Sequence, residues 1–129
     1  MNQPQVLVVD DDENIRKLVS RQLGLSGADC RTAQNGQVAI RLLGEEHFDV
    51  AVVDIIMPEK EGLETIMEMR RRWPALKIVA MSGGGCIGPE HCLHMARAFG
   101  ADAALRKPLP FHELAELVWT LSGKRGRAA

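Results

Sequence analysis

Polar side chains that could do chemistry stand at the ends of four apolar, strand-like runs in this chain. The clearest case is the β-branched run over residues 50–53, which ends in a single carboxylate, Asp54. A carboxylate at the end of a buried strand is costly to desolvate unless a cation or a hydrogen-bond donor pairs with it. Asp54 is therefore expected either at a site or at the tip of a loop. The other three runs end at Asp10 with Asp11, at Ser82 and at Lys107.

Together these side chains would suit phosphoryl transfer to a carboxylate. Three carboxylates a few ångströms apart repel one another by roughly 1–4 kcal/mol per pair at a partly exposed site, so they need a cation or a proton. Oxygen ligands with room for water favour Mg²⁺. A Lys ammonium and a Ser hydroxyl on the other side could hold phosphoryl oxygens. The set predicts a nucleophilic Asp, a metal ion and two groups that bind the transferred phosphoryl group.

Five strand–helix units must position these side chains. Apolar runs bounded by turn residues predict strands, and apolar residues at helical spacing predict a helix after each strand. Asp12 is expected to cap the first helix, and Pro89 is expected to open the fourth. The predicted strands cover residues 5–10, 28–33, 50–54, 75–81 and 102–106.

Turn residues mark the boundaries between these units. Asn35-Gly36 predicts a turn before the second helix, and residues 58–62 predict a charged loop before the third. Trp73-Pro74 is expected to end the third helix, and Gly100 the fourth.

The alternation of strand and helix predicts a parallel sheet covered by helices on both faces. Five units within 129 residues match the doubly wound, flavodoxin-like (βα)5 fold of the α/β class, with strand order 2-1-3-4-5. Ligands of such sheets bind beyond the carboxyl ends of the strands, next to strands one and three. The predicted fold therefore brings the five polar residues to one edge.

Each of these residues also has an ordinary structural interpretation. Acids after a first strand are often helix N-caps, which would account for Asp11 or Asp12 equally well. Ser82 alone would be a turn residue, and Lys107 alone would be a surface residue. Their coincidence at one sheet edge favours the site over the separate interpretations.

Length, charge and composition limit the function further. A chain of 129 residues suits one domain, which we assign to residues 1–122, followed by a short basic tail over 123–129. A net charge of −1 gives no overall attraction to nucleic acid or to a membrane, and no apolar run approaches the ~18 residues of a spanning helix. The three cysteines lack C-x-x-C spacing, and the N-terminus lacks a basic signal-peptide segment. We therefore expect a reducing, cytoplasmic setting.

Four motifs resemble those of response-regulator receiver domains, the CheY-like phosphoacceptor modules of two-component signalling: VLVVDDDENIR, VVDIIMPEKEGLE, VAMSGG and LRKPLP. The resemblance implies that Asp54 accepts a phosphoryl group from a phosphohistidine on a sensor histidine kinase or a histidine phosphotransferase. It also implies that Mg²⁺ (or Mn²⁺) is bound by Asp10, Asp11, Asp54 and the backbone carbonyl of Ile56.

The same resemblance implies how the phosphoryl group is read. Ser82 would move toward it, Lys107 would pair with it, and the small Gly83 would leave access to the acceptor. The Lys107-Pro108 bond is expected to be cis. Repacking of residues 83–88 and of the following helix would then change the affinity of the face formed by the fourth helix, fifth strand and fifth helix (α4-β5-α5) for a downstream protein.

The resemblance therefore predicts a stand-alone phosphorelay signalling domain and not an enzyme, apart from assistance to its own phosphorylation and dephosphorylation. It predicts a monomer or a weak, phosphorylation-linked homodimer. No nucleic-acid or membrane partner is expected.

Three positions depart from the family's pattern. Ala104 replaces the aromatic residue whose movement commonly accompanies that of the hydroxyl, so the output face must respond in another way. Ile56 and Gly84 occupy positions where polar side chains help to orient water for attack on the phospho-aspartate. We therefore expect the phosphorylated form to hydrolyse slowly unless a phosphatase acts on it.

Two other functions share parts of this pattern. A phosphatase or phosphotransferase of the haloacid dehalogenase type would use Asp10 as its nucleophile and Asp10-Asp11-Asp12 as its D-x-D opening. That class needs further acids after Lys107, which the chain lacks, and it leaves Asp54 unexplained. Flavin binding would need a hydroxyl-rich phosphate loop after the first strand, where this chain is acidic.

We expect ordinary structural roles for the remaining charged and aromatic residues and for a cluster of cysteines and histidines. A zinc site is conceivable where two cysteines and two histidines cluster, but their spacing matches no familiar pattern. A three-arginine run is expected to be a solvated helix end, and the tail cations are expected to be solvated. Trp119 would be either half-buried or part of a partner face. The clustered residues are Cys86, His91, Cys92 and His94, the arginines are Arg70–Arg72, and the tail cations are Lys124, Arg125 and Arg127.

Overall fold

The computed structural model describes residues 3–55, 61–83 and 89–124, without the side chains of residues 61 and 89–93. Strands and helices alternate through these residues. Among the described residues, no helix combines the length and the apolar character that a membrane-spanning segment requires. The elements are β1 (Gln5–Val9), α1 (Glu13–Leu25), β2 (Asp29–Ala33), α2 (Gly36–Glu45), β3 (Val50–Asp54), α3 (Glu61–Arg72), β4 (Lys77–Ser82), α4 (Pro89–Ala98), β5 (Ala103–Arg106) and α5 (Phe111–Ser122).

The five strands form one parallel sheet in the order β2-β1-β3-β4-β5, which confirms the predicted fold class and topology. Val9 pairs with Val53 at the end of the β1–β3 ladder, and Asp54 pairs with Met81 across β3 and β4. Because all strands run in the same direction, their carboxyl ends share one edge. The residues that follow β1, β3, β4 and β5 are therefore neighbours, as the sequence predicted.

The pattern of apolar residues separates central strands from edge strands. The continuous apolar runs of β1, β3 and β4 lie in the middle of the sheet, where helices cover both faces and almost every side chain is buried. The more polar β2 and the short β5 are the two edges and are only partly buried. The central strands therefore supply both apolar cores.

The two cores lie on opposite faces of the sheet, because successive side chains of a strand point to opposite sides. One core packs the sheet against α2, α3 and α4, and the other packs it against α1 and α5. The first uses Leu7, Val9, Ala51 and Val53, and the second uses Val6, Val8, Val50 and Val52.

The structure confirms the predicted cap of α1 and revises the start of α2. The Asp12 side chain accepts a hydrogen bond from the Asn14 N–H at 2.8 Å, as an N-cap does. Asn35 also acts as an N-cap, since its side chain accepts the Val38 N–H at 2.9 Å. The prediction of a turn at Asn35-Gly36 was therefore wrong, because α2 begins at Gly36.

Other boundaries differ from the predictions by one or two residues; β4, for example, begins at Lys77 and not at residue 75. The loop predicted over residues 58–62 ends earlier, because Gly62 lies in α3. Ser82 is the last residue of β4 rather than a residue beyond it.

Trp119 is half-buried, and its indole N–H donates to the Ser26 hydroxyl at 3.3 Å, which joins α5 to the end of α1.

Arg70 is not a solvated residue, which corrects the prediction for the arginine run. Its guanidinium donates to the carbonyl of Gly100 at 2.7 and 2.9 Å, and to the Asp102 carboxylate at 2.6 Å. It also donates to the carbonyls of Pro74 and Leu76 at 3.0 and 2.8 Å. Arg70 thereby ties the α3–β4 turn to the α4–β5 turn at the amino edge of the sheet.

We expect Arg70→Ala to lower the free energy of unfolding by about 2–3 kcal/mol, because three carbonyl groups and a carboxylate lose their donor together. Urea denaturation would measure this change. Arg71→Ala is the matched control, since Arg71 is exposed one residue further along, and it should change stability by less than about 0.5 kcal/mol. Equal effects of the two substitutions would contradict the assigned role.

Lys124 was also predicted to be solvated, and this prediction was wrong. Its ammonium lies 2.9 Å from the Asp49 carboxylate and donates to the Gln3 carbonyl at 2.8 Å. Asp49 accepts the Gln5 N–H at 2.8 Å and faces His47 at 3.2 Å. Burial alone would raise the pKa of Asp49, but these donors outweigh it and hold that pKa below its usual value.

A carboxylate whose pKa is lowered in the folded state stabilises the fold above its unfolded pKa and ceases to do so as the pH falls through the folded value. We therefore expect Asp49→Asn to be less stable than the wild type at pH 7. The difference should shrink as the pH falls below about 4. Thermal melts between pH 7 and pH 2 would measure it, and a difference that does not depend on pH would contradict this role of Asp49.

Candidate functional site

Three carboxylates meet at the carboxyl edge of the sheet. Asp10 follows β1 and Asp54 ends the neighbouring β3, so the β1–β3 ladder brings them side by side. Asp10 is fully buried, Asp54 is 3 % exposed, and Asp11 is exposed. One carboxylate oxygen from each of the three lies within 4.8 Å of the others. The carboxylates of Asp10 and Asp54 are therefore buried side by side.

Lys107 supplies positive charge to this cluster. Its ammonium lies 3.1 Å from the Asp10 carboxylate and 3.3 Å from the Asp54 carboxylate. Burial would lower the pKa of Lys107, but the carboxylates of Asp54 and Asp10 outweigh it and raise the pKa. Lys107 is therefore charged at neutral pH and bridges the two buried acids.

Ser82 and Gly83 lie next to this bridge, at the end of β4. The Lys107 N–H donates to the Ser82 carbonyl at 2.7 Å, which holds the ends of β4 and β5 together. The Ser82 hydroxyl is buried and has no hydrogen-bond partner among the residues that the structure describes. A Cβ at Gly83 would lie 3.2 Å from the Lys107 side chain, so a residue this small leaves room for that side chain. A buried hydroxyl without a partner is costly, and a ligand oxygen would satisfy it.

The cluster fits a divalent cation. Mg²⁺ binds oxygens at about 2.0–2.1 Å, so two ligands on one ion lie at most about 4.2 Å apart. The observed spacing within 4.8 Å needs only a small closure. Three carboxylates and one ammonium leave two negative charges, which a divalent ion would balance. The acidic pocket is therefore suited to Mg²⁺ by ligand type, spacing and charge.

The acidic loop, Asp10 to Asp12, is held by hydrogen bonds that the sequence did not reveal. The Asp12 N–H donates to the Asp10 carboxylate at 2.9 Å, and the Arg16 guanidinium donates to the Asp10 carbonyl at 2.8 Å. Gly62 was also missed: a Cβ there would overlap the Asp54 carbonyl oxygen and the Ile55 Cα, so α3 approaches β3 closely. Arg16 and Gly62 both lie within the motifs quoted above, but only the fold shows what they contact.

The structure thus brings together Asp10, Asp11, Asp54 and Lys107 and places Ser82 and Gly83 beside them. It has the predicted cis bond between Lys107 and Pro108. Ala104 is partly buried against the core. Other predicted residues lie outside the described residues or side chains, so the Ile56 carbonyl and the zinc interpretation remain predictions. These residues are Ile56, Gly84, Cys86, His91 and Cys92.

The family model for the response regulator receiver domain matches residues 6–119, and the chain belongs to this family. The chain is 32 % identical over 120 residues to the response regulator protein PilR of Pseudomonas aeruginosa, covering 93 % of this chain and 26 % of that protein. It is 33 % identical over 126 residues to the transcriptional regulatory protein PrrA of Mycobacterium bovis, covering 98 % and 53 %.

Solved structures agree with this assignment. The receiver domain of Francisella response regulator 1452 superposes with a TM-score of 0.83 at 26 % identity, covering 94 % of this chain and 98 % of that domain. The receiver domain of NtrX from Brucella abortus gives 0.84 at 26 % identity, covering 93 % and 99 %. The chain spans only part of its curated relatives. It covers 26 % of the length of PilR, 53 % of PrrA and 12 % of the sensor histidine kinase RcsC of Escherichia coli.

The chain is therefore a receiver domain of a two-component response regulator, a signalling domain with a phosphoacceptor aspartate and an acidic pocket of the kind that binds Mg²⁺. Receiver domains are phosphorylated by histidine kinases and act on downstream targets. The family assignment leaves the haloacid dehalogenase and flavin alternatives without support.

Proposed function

We propose that Asp54 is the phosphoacceptor and that a phosphohistidine on a sensor histidine kinase or a histidine phosphotransferase is the donor. The observation that supports this most strongly is the bridging of buried Asp54 by the Lys107 ammonium, 3.3 Å away, within an acidic cluster suited to a divalent cation. Asp54 is the central member of this constellation, since β3 lies between β1 and β4.

In the proposed reaction, a carboxylate oxygen of Asp54 attacks the phosphorus in line with the bond to the histidine nitrogen. The phosphorus–nitrogen bond breaks, and its electron pair returns to the imidazole ring. Lys107 is already within reach of Asp54 and would pair with a phosphoryl oxygen. The Ser82 hydroxyl, which has no partner among the described residues, would donate to another phosphoryl oxygen, and the small Gly83 would leave access to the acceptor.

Asp10, Asp11 and Asp54 would hold Mg²⁺, or Mn²⁺, together with the backbone carbonyl of Ile56. The bound ion would neutralise charge between the carboxylates and the incoming phosphoryl oxygens. Without it, the acceptor would remain a carboxylate among like charges that Lys107 balances only in part.

The phosphoryl group carries about −1.5 to −2 charge in place of the single charge of the carboxylate, and it brings strong acceptor oxygens that would draw Ser82 and Lys107 toward residue 54. Both are joined to the output face through backbone, since Ser82 ends β4 and Lys107 follows β5. Movement there would change the affinity of the α4-β5-α5 face for a downstream protein. Ala104 on β5 has no aromatic ring that could change position, so the backbone of β4 and β5 would carry the conformational change to the output face.

The proposed role of the domain over residues 1–122, with its basic segment 123–129, is that of a cytoplasmic switch or phosphorelay intermediate. It would act as a monomer or a weak, phosphorylation-linked homodimer. Its only catalysis would be assistance to its own phosphorylation and dephosphorylation.

Acetyl phosphate and Mg²⁺ should add about one phosphoryl group per chain, detected by intact-protein mass spectrometry, because the site itself would provide the chemistry. Asp54→Ala should abolish labelling, and omission of Mg²⁺ should reduce it strongly. Asp29→Ala is the matched control, since this exposed carboxylate on β2 lies outside the cluster, and it should label like the wild type.

The variants separate the proposal from its alternatives. Labelling of Asp54→Ala to the wild-type level would reject Asp54 as the acceptor. Labelling lost in Asp10→Ala but retained in Asp54→Ala, with continued turnover of the phosphodonor, would assign the nucleophile to Asp10 instead.

A further inference from the structure

The carbonyl group of Asp10 is held by a side chain from α1. It lies one residue beyond the last β1–β3 ladder pair, Val9 with Val53. The Arg16 guanidinium donates to this carbonyl at 2.8 Å, and the contact is partly buried. The Arg16 N–H donates to the carbonyl of Asp12, the N-cap of α1, at 3.0 Å. Arg16 therefore contacts the acidic loop through both its backbone and its side chain.

Asp11 depends on this support more than its neighbours do. The Asp10 carboxylate is fixed by the Lys107 ammonium and the Asp12 N–H, and the Asp10 N–H bonds the Ala33 carbonyl at 3.2 Å. Within the described part of the chain, no hydrogen bond or ion pair holds the exposed Asp11 carboxylate. Its direction is therefore set by the backbone between Asp10 and Asp12.

We propose that Arg16 is a positioning residue for the divalent-cation site: it fixes the Asp10–Asp11 peptide and thereby orients the carboxylate of Asp11. This inference rests on the proposed binding of the cation by Asp10, Asp11 and Asp54. Groups that orient metal ligands commonly alter metal affinity although they do not touch the ion.

The direction in which Mg²⁺ affinity changes when the Arg16 guanidinium is removed distinguishes a positioning role from a purely electrostatic one. Arg16 is a cation at hydrogen-bond distance from a ligand residue, so its charge opposes the binding of Mg²⁺. If charge were its only influence, removal of the guanidinium would tighten Mg²⁺ binding. If Arg16 acts by positioning, its removal weakens binding in spite of the lost repulsion.

Isothermal titration of the whole chain with MgCl₂, without a phosphodonor, tests this directly. Arg16→Met keeps a similar side-chain length without a donor or a charge, and it should weaken Mg²⁺ binding by roughly tenfold. Arg16→Lys keeps a donor and the charge and should recover most of the affinity. Lys17→Met is the matched control, since it removes a cation from the next, exposed position of α1 and should bind Mg²⁺ at least as tightly as the wild type.

Thermal melts without Mg²⁺ would establish that each variant is folded. Affinity of Arg16→Met equal to or tighter than that of the wild type would overturn the inference, as would an equal loss in Lys17→Met. Asp11→Asn and Asp54→Asn test the underlying site. If they bind Mg²⁺ like the wild type, the proposed cation site itself is wrong, whereas loss of binding in these two but not in Arg16→Met overturns the role of Arg16 alone.

Discussion

Repulsion among carboxylates at one edge of the sheet is the constraint on which the rest of the site depends. Asp10 and Asp54 are almost fully buried and lie beside Asp11, at a cost of roughly 1–4 kcal/mol per pair where solvent still screens them. Lys107 offsets part of this cost by bridging the two buried acids. The remaining negative charge is what prepares the edge for a divalent cation and, in our proposal, for the transfer of a phosphoryl group.

The opposite edge of the sheet is built in the other way. There, Arg70 uses its guanidinium on three carbonyls and a carboxylate, and Asp49 gathers donors from three parts of the chain. Polar groups at that edge satisfy one another. At the carboxyl edge, by contrast, the Ser82 hydroxyl has no partner among the described residues, and the three clustered carboxylates carry more negative charge than Lys107 balances. Polar groups at the amino edge are thus paired with one another, whereas the carboxyl edge keeps a buried hydroxyl and a negative charge that a ligand could satisfy.

The sequence predicted the fold and the main members of the site because both depend on local patterns. Continuous apolar runs identified the central strands, and the register of a parallel sheet brought the ends of those strands together. Asn35 was misassigned because an Asn-Gly pair suits a turn and a helix N-cap alike. Arg70 and Lys124 were misjudged because their partners, near residue 100 and at Gln3 with Asp49, are distant in sequence. Arg16 was missed because only the fold shows that it reaches the Asp10 carbonyl.

Chemical mapping of the phosphorylated residue would test the central claim most directly. After incubation with acetyl phosphate and Mg²⁺, sodium borohydride would reduce any acyl phosphate to an alcohol, and peptide mass spectrometry would locate the product. Our account predicts homoserine at position 54 and at no other position. Homoserine at position 10 or 11, or an unreduced aspartate at position 54 in the phosphorylated protein, would contradict it.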